Sequence, residues 1–326
     1  MTRETCLVTG AAGFIGSHLV DRLLRLGSRV IGVDNFALGR WRNLAQAKDD
    51  PGFVFIEADL NDCSHVLQEL ERNCEDRRIA VVWHLAANSD IQAGATDPEV
   101  DLRNTFLSTF NVLKVMKALG CLSLVFASSS AIYGSQDSLL TEDSGPVRPI
   151  SNYGAMKLAS EGLISAAIEN YLERAWIFRF PNVVGSRATH GVIVDLIKKL
   201  QHNSQVLDVL GDGKQDKPYL HVSELVEAML FIYRQANAPL NVFNIGPDGS
   251  SSTVRYIAEA VVRECAPGAT IRYVGGAQGW RGDVPRFAYS VEKLRWLGWT
   301  PRLASDQAVD LAIRELVEEL ECRPKL

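Results

Sequence analysis

Residues 5–20 read TCLVTGAAGFIGSHLV, the pattern of an apolar strand, a glycine-containing turn and the start of a helix with one apolar face. Gly10, Gly13 and Gly16 stand three residues apart in this stretch. Because glycine has no Cβ, a phosphate can approach the backbone N–H groups at the helix N-terminus closely. The stretch predicts a strand–turn–helix unit that binds the pyrophosphate of a dinucleotide; the alternative is a glycine turn in an ordinary βα unit.

The next apolar strand, at 29–34, ends at Asp34, about twenty residues after the glycine turn. A carboxylate at this position accepts hydrogen bonds from the ribose hydroxyls of an adenosine. The same negative charge would repel a 2′-phosphate. The two features together therefore predict NAD as the cofactor in preference to NADP.

The composition is that of an ordinary globular protein, with 326 residues, 47% hydrophobic and 22% charged, and a net charge of −5. Because the chain has no basic stripe, we expect neither nucleic acid nor a membrane surface as a partner. No apolar run approaches the roughly 20 residues of a membrane span, and the first strand leaves no room for a signal peptide. The six cysteines form no Cys-x-x-Cys pair, and no cluster has metal-ligand spacing. We therefore expect a cytoplasmic protein without a bound metal.

Strand and helix patterns alternate through the first half of the chain. Strands are predicted at 5–9, 29–34, 53–57, 79–85, 122–128 and 175–180, and helices at 14–27, 62–74, 98–119 and 152–172. Apolar strands separated by helices indicate a parallel sheet that is covered on both faces. We therefore predict an α/β protein with a Rossmann-type doubly wound parallel sheet.

After residue 181 the pattern is less regular. Helices are predicted at 191–202, 222–235, 253–265 and 305–321, and a strand at 241–245 that returns to the main sheet. We expect an NAD-binding Rossmann domain formed by residues 1–180 and about 221–246. Residues 181–220 and 247–326 would form a smaller α/β lobe that binds the substrate. Ligands of doubly wound sheets bind outside the carboxyl ends of the strands, where the candidate site residues fall.

Tyr153 and Lys157 stand four residues apart at the start of a predicted helix and therefore share one of its faces. The triple serine at 128–130 precedes them, at the end of a predicted strand. A phenol is a poor base at neutral pH, but a nearby ammonium and a cationic nicotinamide would favour the phenolate. A serine hydroxyl could hold a substrate oxygen as its proton leaves. The alternatives are a surface pair on a helix and a polar strand end that caps the next turn.

Taken together, these segments resemble extended short-chain dehydrogenases/reductases of the nucleotide-sugar epimerase/dehydratase group, over nearly the whole chain. The matching stretches are TGAAGFIG at 9–16, VDN at 33–35, DL at 59–60, HLAA at 84–87, Asn104, SSSAIYG at 128–134, YGAMK at 153–157 and RFPNVVG at 179–185. The segments at 190–193, 210–215 and 279–284 resemble the compact, archaeal-type UDP-glucose (galactose) 4-epimerases most closely.

The resemblance implies a role for each matching residue. Ser129 would be the catalytic hydroxyl, Tyr153 the base and Lys157 its electrostatic partner. The implied cofactor-binding residues are Gly10, Gly13, Phe14, Ile15, Gly16, Asp34, Asn35, Asp59, Leu60, Leu85, Ala86, Ala87, Asn104, Ser128, Tyr153, Lys157 and Pro181. The implied substrate-binding residues are Ser129, Ser130, Asn182, Arg187, His190, Val192, Lys217, Tyr219, Arg281 and Asp283.

Two positions depart from the family pattern. Many relatives hold the substrate diphosphate with an arginine in the segment where this chain has Lys217, and with a second arginine where it has Trp280. Lys217, Arg281 and Arg187 are candidate replacements, although lysine cannot form the bidentate fork of arginine. The alternative for these side chains is a solvated surface charge.

The resemblance also reduces the number of candidate reactions. Relatives that remove water from the sugar carry an Asp-Glu pair directly after the catalytic hydroxyl, and decarboxylating relatives usually place a glutamate nearby. Here Ser130 and Ala131 follow, and neither can act as that acid or base. A nucleotide-diphosphate-sugar 4-epimerase of the UDP-glucose/UDP-galactose type remains, acting through a 4-keto intermediate, with N-acetylated and uronic acid sugars left open. The alternatives are a 4-ketosugar reductase, an epimerase that acts at another carbon, a 4,6-dehydratase or a decarboxylase, and, in another class, a non-catalytic dinucleotide sensor.

The helices predicted at 98–119 and 152–172 carry more apolar surface than one face of a sheet needs. Relatives pair the equivalent helices into a four-helix bundle. We therefore expect the chain to form a homodimer.

Overall fold

The computed structural model describes residues 4–74, 78–136, 139–276 and 289–322. The elements of its first part are β1 (Thr5–Thr9), α1 (Phe14–Arg25), β2 (Arg29–Asp34), β3 (Phe53–Glu57), α2 (Cys63–Cys74), β4 (Val81–His84), α3 (Ile91–Thr96), α4 (Pro98–Asp101), α5 (Ser108–Leu119), β5 (Ser123–Ala127), α6 (Asn152–Asn170) and β6 (Arg174–Arg179). Each of the six strands predicted for this part is present, with its ends shifted by no more than about two residues.

The later elements include several short strands that the apolar pattern does not predict. They are β7 (Asn182–Val184), α7 (Val192–His202), β8 (Val206–Val209), β9 (Asp216–Lys217), β10 (Tyr219–His221), α8 (Val222–Gln235), β11 (Leu240–Asn244), β12 (Ser252–Thr253), α9 (Val254–Cys265), β13 (Thr270–Tyr273), α10 (Glu292–Leu297) and α11 (Ser305–Glu319). Strands of two to four residues carry too few positions for a period-2 alternation to be recognised.

Among the described residues, seven strands form the main sheet in the order β11-β6-β5-β4-β1-β2-β3. β1 lies between β2 and β4 and pairs with both in parallel, so that Cys6 stands opposite Val30 on one side and Val81 on the other. The strand order runs outward in both directions from β1 and β4, which confirms the predicted doubly wound Rossmann-type fold. Ligands of such sheets bind where the order reverses, at the carboxyl ends of these strands.

The apolar strands are continuous hydrophobic runs because the sheet is buried on both faces. Every residue of β1 and β4 is buried, and the side chains of Trp83 and Phe126 are fully enclosed. Burial of one such large side chain stabilises the fold by roughly 1.5–3 kcal/mol. This core fixes the positions at which the loops leave the sheet.

The helix predicted at 98–119 is present over that whole range, but it is not α-helical throughout. α4 ends at Asp101, a π-helical turn covers Leu102–Leu107, and α5 follows. Within this turn the Ser108 hydroxyl donates to the Asn104 carbonyl at 3.0 Å and the Thr109 hydroxyl to the Thr105 carbonyl at 2.7 Å. Such hydroxyl bonds also occur in regular α-helices, and π-helical turns occur mostly as single insertions within α-helices.

The chain divides into two compact units. The first comprises Met1–Ile132, Arg148–Arg179 and Met229–Phe243, and the second comprises Tyr133–Val147, Phe180–Ala228 and Asn244–Leu326. Within the second unit β7 pairs with β10 and β8 pairs with β13, both in parallel, and β12 pairs with β9 in an antiparallel ladder. The functional division of the chain into a cofactor domain and a substrate lobe stays a prediction.

Within the part of the chain that the structure describes, no helix combines the length and the apolar character needed to cross a bilayer.

Candidate active site

The glycine turn has the backbone geometry that its sequence predicts. Gly10 adopts a left-handed φ of 70°, and its N–H donates to the Val33 carbonyl at 2.9 Å. α1 starts at Phe14, and its N-cap residue, Gly13, has no side chain to bond the first N–H groups. The first turn of α1 therefore presents backbone donors and the positive end of the helix dipole, which suits an anion.

Two of the glycines are required by close packing around this turn. A Cβ on Gly16 would lie 1.9 Å from the Gly10 carbonyl oxygen, and a Cβ on Gly10 would lie 2.8 Å from the Ala86 nitrogen. Both obstacles are backbone atoms that cannot rotate away. The turn is therefore a cradle that a side chain would fill, and its donor set fits the pyrophosphate of NAD.

Asp34 ends β2, and the turn holds its carboxylate in place. Its Oδ2 accepts from the Ala12 N–H at 2.9 Å and its Oδ1 from the Phe36 N–H at 2.8 Å. Burial raises the pKa of Asp34, while these backbone hydrogen bonds act in the opposite direction. Each carboxylate oxygen has a second lone pair, so the side chain can still accept hydrogen bonds from ribose hydroxyls.

An aromatic cluster lies directly after Asp34, and the sequence analysis missed it. The Phe36 ring is 5.1 Å from the Trp41 ring and 5.3 Å from the Phe55 ring, centroid to centroid. Trp41 remains 55% exposed, and Phe36 has a left-handed φ of 56°. The sequence signal for this cluster is the presence of aromatic residues on two neighbouring segments: Phe36 and Trp41 follow Asp34, and Phe55 lies on β3.

The other predicted cofactor residues of the first unit follow strands of the sheet. Asn35 Oδ1 accepts from the Ala37 N–H at 3.0 Å, and Asp59 Oδ1 accepts from the Asn61 N–H at 2.8 Å. Leu60 is buried, and the three residues after β4 are half-buried, namely Leu85, Ala86 and Ala87. These residues stand at the carboxyl ends of β2, β3 and β4, where the fold places a dinucleotide.

His84 ends β4 and connects the glycine strand with α5. Its Nδ1 lies 2.7 Å from the Thr9 hydroxyl and its Nε2 lies 3.0 Å from the Thr109 hydroxyl. Since the Thr109 hydroxyl donates to the Thr105 carbonyl, it accepts from Nε2–H, and Nδ1 then accepts from Thr9. Burial, with a smaller effect from the charge of Lys157, lowers the pKa of His84 to about 3. His84 is a neutral packing residue, as its place at a strand end predicts.

The structure brings the three predicted catalytic residues together. The Ser129 hydroxyl accepts from the Ala131 N–H at 3.1 Å and hydrogen-bonds the Tyr153 side chain. Lys157 is only 2% exposed, and its Nζ lies 5.7 Å from the centre of the Tyr153 ring and donates to the Ala127 carbonyl at 2.6 Å. Ser129 follows β5, and Tyr153 and Lys157 occupy one face of the first turns of α6.

The ionisation of this group differs from the expectation that the neighbouring ammonium makes the phenol more acidic. Desolvation raises the pKa of Tyr153 well above its usual value; the Ser129 hydrogen bond opposes this rise, and the charge of Asp101 adds to it. Burial lowers the pKa of Lys157 to about 7, although the charges of Glu161 and Asp101 both raise it. The protein alone therefore holds Tyr153 protonated, and the positive charge of a bound nicotinamide is the contribution still needed for the phenolate.

Ser128 and Asn104, two of the residues implied to bind the cofactor, contact other parts of the first unit. The Ser128 hydroxyl is fully buried and donates to Glu161 Oε1 at 2.5 Å. Asn104 lies half-buried in the π-helical turn, where the neighbouring Thr105 hydroxyl accepts from the Asn88 N–H at 3.3 Å. Their roles toward the cofactor stay predictions.

The two residues after Ser129 begin a short 3₁₀ turn, Ser130–Tyr133. Ser130 and Ala131 are half-buried, and neither carries a carboxyl group. This local backbone places a hydroxyl and a methyl group at the two positions that follow Ser129.

The predicted substrate residues of the second unit lie on β7, β9, β10 and the segment that leads into α7. Asn182 is exposed at the start of β7, opposite Tyr219 of β10, and its Nδ2 lies 3.5 Å from the Pro218 carbonyl oxygen. Lys217 is half-buried on β9 and pairs with Ser252 of β12. Pro181 and Tyr219 are buried, and their roles toward cofactor and substrate stay predictions.

Residues 185–191, which we call the α7 entry loop, carry Arg187 and His190. α11 fixes this loop through its backbone, because the Ser186 N–H donates to Glu315 Oε2 at 2.8 Å and the Arg187 N–H to Glu319 Oε2 at 2.7 Å. Arg187 adopts a left-handed φ of 67°, which these hydrogen bonds hold in place. His190 is exposed next to Gly191, and Val192 starts α7 without a side-chain cap before it.

Glu315 also contacts a buried histidine. His221 Nε2 lies 3.2 Å from Glu315 Oε2, and His221 Nδ1 lies 2.7 Å from the Ser223 hydroxyl. Burial raises the pKa of Glu315, but the hydrogen bonds from His221 and Ser186 outweigh this effect and leave it below its usual value. The sequence does not predict this role of Glu315, because an acidic residue on a helix carries no signal that it will bind a loop 129 residues away.

The remaining two predicted substrate residues, Arg281 and Asp283, lie outside the described residues. Within the described ranges, no group of three His, Cys, Asp or Glu side chains could hold a metal ion.

The chain is similar in sequence to a known protein family and to curated proteins. The sequence profile of the NAD dependent epimerase/dehydratase family matches residues 6–246. A UDP-glucose 4-epimerase of Mycolicibacterium smegmatis is 30% identical over 313 residues, which cover 93% of this chain and 95% of that protein.

Two solved structures have the same fold over almost their whole length. A crystal structure of a UDP-galactose 4-epimerase aligns with a TM-score of 0.85 and 36% identity, over 97% of this chain and 99% of that one. The Thermus thermophilus UDP-glucose 4-epimerase in complex with NAD aligns with a TM-score of 0.82 and 30% identity, over 95% and 98% of the two chains.

Proposed function

This chain belongs to the NAD-dependent epimerase/dehydratase family, and from that premise we propose that it is an NAD-dependent 4-epimerase of nucleotide-diphosphate sugars, of the UDP-glucose/UDP-galactose type. The observation that carries the proposal is the assembled Ser129, Tyr153 and Lys157 group, followed by Ser130 and Ala131. A dehydratase or decarboxylase would need an acid or base at these last two positions, and this chain has none there.

The glycine turn and Asp34 would hold the cofactor, with the pyrophosphate at the N-terminus of α1 and the adenosine ribose at the carboxylate. When bound, NAD⁺ supplies a hydride acceptor for the C4 carbon of the sugar, a return of the hydride to the opposite ring face, and a positive charge near Tyr153. Tyr153 would remove the proton of the C4 hydroxyl and later give it back. Ser129 would hold the same oxygen, and Lys157 would stabilise the phenolate.

We assign substrate binding to Asn182, Arg187, His190, Val192 and Lys217, following the family resemblance. The first turn of α7, which has no side-chain cap, presents backbone N–H groups beside Val192, and Lys217 offers a positive charge, so both suit a diphosphate. Lysine acts there as a point charge, which makes diphosphate binding less directional than with the bidentate arginine of many relatives.

The test is a substrate panel of UDP-glucose, UDP-N-acetylglucosamine and UDP-glucuronate, with products resolved by NMR. Inversion at C4 without net consumption of NAD supports the proposal. Release of water or carbon dioxide without C4 inversion, or a need for added reduced cofactor, would contradict it.

The matched control for this panel is Tyr153→Phe, which removes the ionisable oxygen and keeps the ring. General acid–base groups contribute roughly 10²–10⁴-fold, so turnover should fall by about that factor while NAD affinity, measured by calorimetry, changes little. A variant that keeps most of its activity would show that Tyr153 is not the base.

We also propose that the protein works as a cytoplasmic homodimer that pairs through α5 and α6. Phe110 on α5 is 44% exposed and Ile150, just before α6, is 46% exposed. The six cysteines carry free thiols, which suits a reducing compartment.

A further inference from the structure

Glu161 lies one turn after Lys157 on α6 and is a buried carboxylate with three strong hydrogen bonds. Arg179 binds it with two of them, from Nε to Oε1 at 3.1 Å and from Nη2 to Oε2 at 2.7 Å. The Ser128 hydroxyl donates the third, to Oε1 at 2.5 Å. Neither Glu161 nor Arg179 has a role in the mechanism above.

The three partners come from three elements that meet beside the catalytic residues. Ser128 follows β5 and is bonded covalently to Ser129, and Arg179 is the last residue of β6. Lys157 of α6 donates to the Ala127 carbonyl, one residue before Ser128. Any movement of Glu161 would therefore displace Ser129 through its neighbour and Lys157 through the shared helix.

The charges around Lys157 come from each element packed against it. Glu161 lies on α6, Arg179 on β6 and Asp101 at the end of α4, where its Oδ1 accepts from Asn88 at 2.8 Å. His84 on β4 is neutral and adds no charge above acidic pH. The Glu161 carboxylate makes the largest charge contribution to the Lys157 pKa and raises it, and the positive charge of its partner Arg179 acts in the opposite direction.

We propose that the Glu161–Arg179 ion pair is a positioning pair for the catalytic residues, which holds Ser129 and Lys157 in register and keeps the region beside Tyr153 electrically balanced. The catalytic role of Tyr153 and Lys157 in this statement rests on the proposed function. The balance itself is a property of the folded chain and can be measured without turnover.

The two partners carry opposite charges, so their loss has opposite electrostatic effects. Glu161→Gln leaves the Arg179 charge uncompensated and makes Lys157 easier to deprotonate. Arg179→Gln leaves the Glu161 carboxylate uncompensated and makes Lys157 harder to deprotonate. A loss of fold stability does not depend on the sign of the charge removed, so a pair that only stabilised the fold would not move the Lys157 midpoint in opposite directions in the two variants.

The readout is NMR of the protein labelled with ¹³C at the lysine Cε, titrated between about pH 5 and pH 9. Burial brings the pKa of Lys157 to about 7, whereas exposed lysines titrate near 10.4, so its signal is separated from theirs and is assigned by its loss in Lys157→Met. We expect Glu161→Gln to move the Lys157 midpoint down and Arg179→Gln to move it up, each by at least about half a pH unit. Midpoints that move in the same direction, or do not move, would overturn the proposal.

Two further variants keep the test decisive if a single substitution unfolds the chain. The double variant Glu161→Gln/Arg179→Gln removes both charges and should return the Lys157 midpoint to within about 0.3 pH units of wild type. Arg179→Lys keeps the charge and should preserve the midpoint while lowering the melting temperature. If the Lys157 midpoint shifts as far in the double variant or in Arg179→Lys as it does in a single glutamine variant, electrostatic balance is refuted.

Turnover gives an independent second readout. With an active substrate, the acid limb of the kcat–pH profile should move to lower pH in Glu161→Gln and to higher pH in Arg179→Gln, because the phenolate is favoured in the first and disfavoured in the second. Opposite NMR shifts in a protein that turns over no sugar nucleotide would uphold the positioning pair and refute the proposed function. Acid limbs that move in the same direction in both variants would contradict the proposed positioning pair.

Discussion

Replacing glycine by alanine should destabilise the fold at Gly16 but not at Gly268, because only Gly16 packs closely against a backbone carbonyl, that of Gly10. Gly16→Ala puts a Cβ 1.9 Å from a backbone oxygen, so α1 must shift away from the turn, at a cost of about 1–3 kcal/mol in unfolding free energy. NAD affinity should fall by at least about tenfold because the helix N-terminus moves with it. Urea unfolding and calorimetry measure the two effects.

The matched control is Gly268→Ala, in the exposed turn between α9 and β13, where a Cβ meets nothing within 4 Å. Alanine restricts the unfolded chain there, so stability should stay equal or rise by up to about 1 kcal/mol, with NAD affinity unchanged. Equal losses in the two variants would contradict the packing argument.

His84 predicts a specific dependence of stability on pH. Its pKa is about 3 in the folded chain and about 6.5 when exposed, so between these values the unfolded state binds one more proton. Stability is therefore lost as pH falls from about 6.5 toward 3, by up to about 1.4 kcal/mol per pH unit from this residue.

The measurement is urea unfolding from pH 4.5 to 7.5 for wild type and His84→Gln. The carboxyl groups are common to both proteins, so the difference between their slopes isolates the histidine. We expect the variant to be less stable at pH 7.5 and to lose less stability on acidification. Parallel curves would mean that His84 has the same pKa in the folded and unfolded states, and would contradict this prediction.

At the level of elements, α11 supports the α7 entry loop through the carboxylates of Glu315 and Glu319. Glu315→Ala removes the acceptor of the Ser186 N–H and of His221, and leaves these two donors without that partner. We expect a loss of about 1–3 kcal/mol in stability and, if the loop binds sugar nucleotide, a KM raised about tenfold with kcat within about threefold. Steady-state kinetics separate the two constants.

Glu318→Ala is the control for this substitution, since Glu318 is exposed on the same helix. It should leave KM and the melting temperature close to wild type. A kcat that falls while KM stays constant in Glu315→Ala would assign the loop to the chemical step instead.

The sequence predicts those elements whose cause is local. The glycine turn and the four-residue spacing of Tyr153 and Lys157 follow from backbone geometry within one strand, turn or helix, and they are found where they are expected. The π-helical turn at Leu102–Leu107 was not predictable, because one inserted residue hardly changes the apolar pattern of a helix. The Ser108 and Thr109 hydroxyls, which bond to carbonyls of this turn, are likewise compatible with a regular α-helix.

Pairings between distant residues escape sequence reasoning altogether. Glu161 and Arg179 are 18 residues apart, and Ser186 and Glu315 are 129 residues apart. No periodicity links such residues, since only the folded chain makes them neighbours. The candidate catalytic group was therefore predictable, whereas the groups that hold it and the α7 entry loop in place were not.

For the whole molecule, the proposed homodimer predicts the molecular mass in solution. Two chains of 35.9 kDa make about 72 kDa, and light scattering at micromolar concentration should report that value. Phe110→Glu puts a charge into the proposed α5–α6 interface and should shift the mass toward one chain. Trp296→Glu, at an 84% exposed side chain on α10, should leave it unchanged. A wild-type mass of one chain would refute the dimer.

The main sheet gains its last strand late in the order of synthesis. β11 covers the edge of β6, where the Pro239 carbonyl accepts from the Ala175 N–H at 2.8 Å and the Ala236 carbonyl from the Trp176 indole at 3.0 Å. β11 starts about sixty residues after β6 ends, so a ribosome adding about 5–20 residues per second leaves β6 bare for roughly 3–12 s. During that interval a nascent chain offers an apolar strand edge to its neighbours on the same messenger RNA, and translation speed between these strands becomes a determinant of soluble yield.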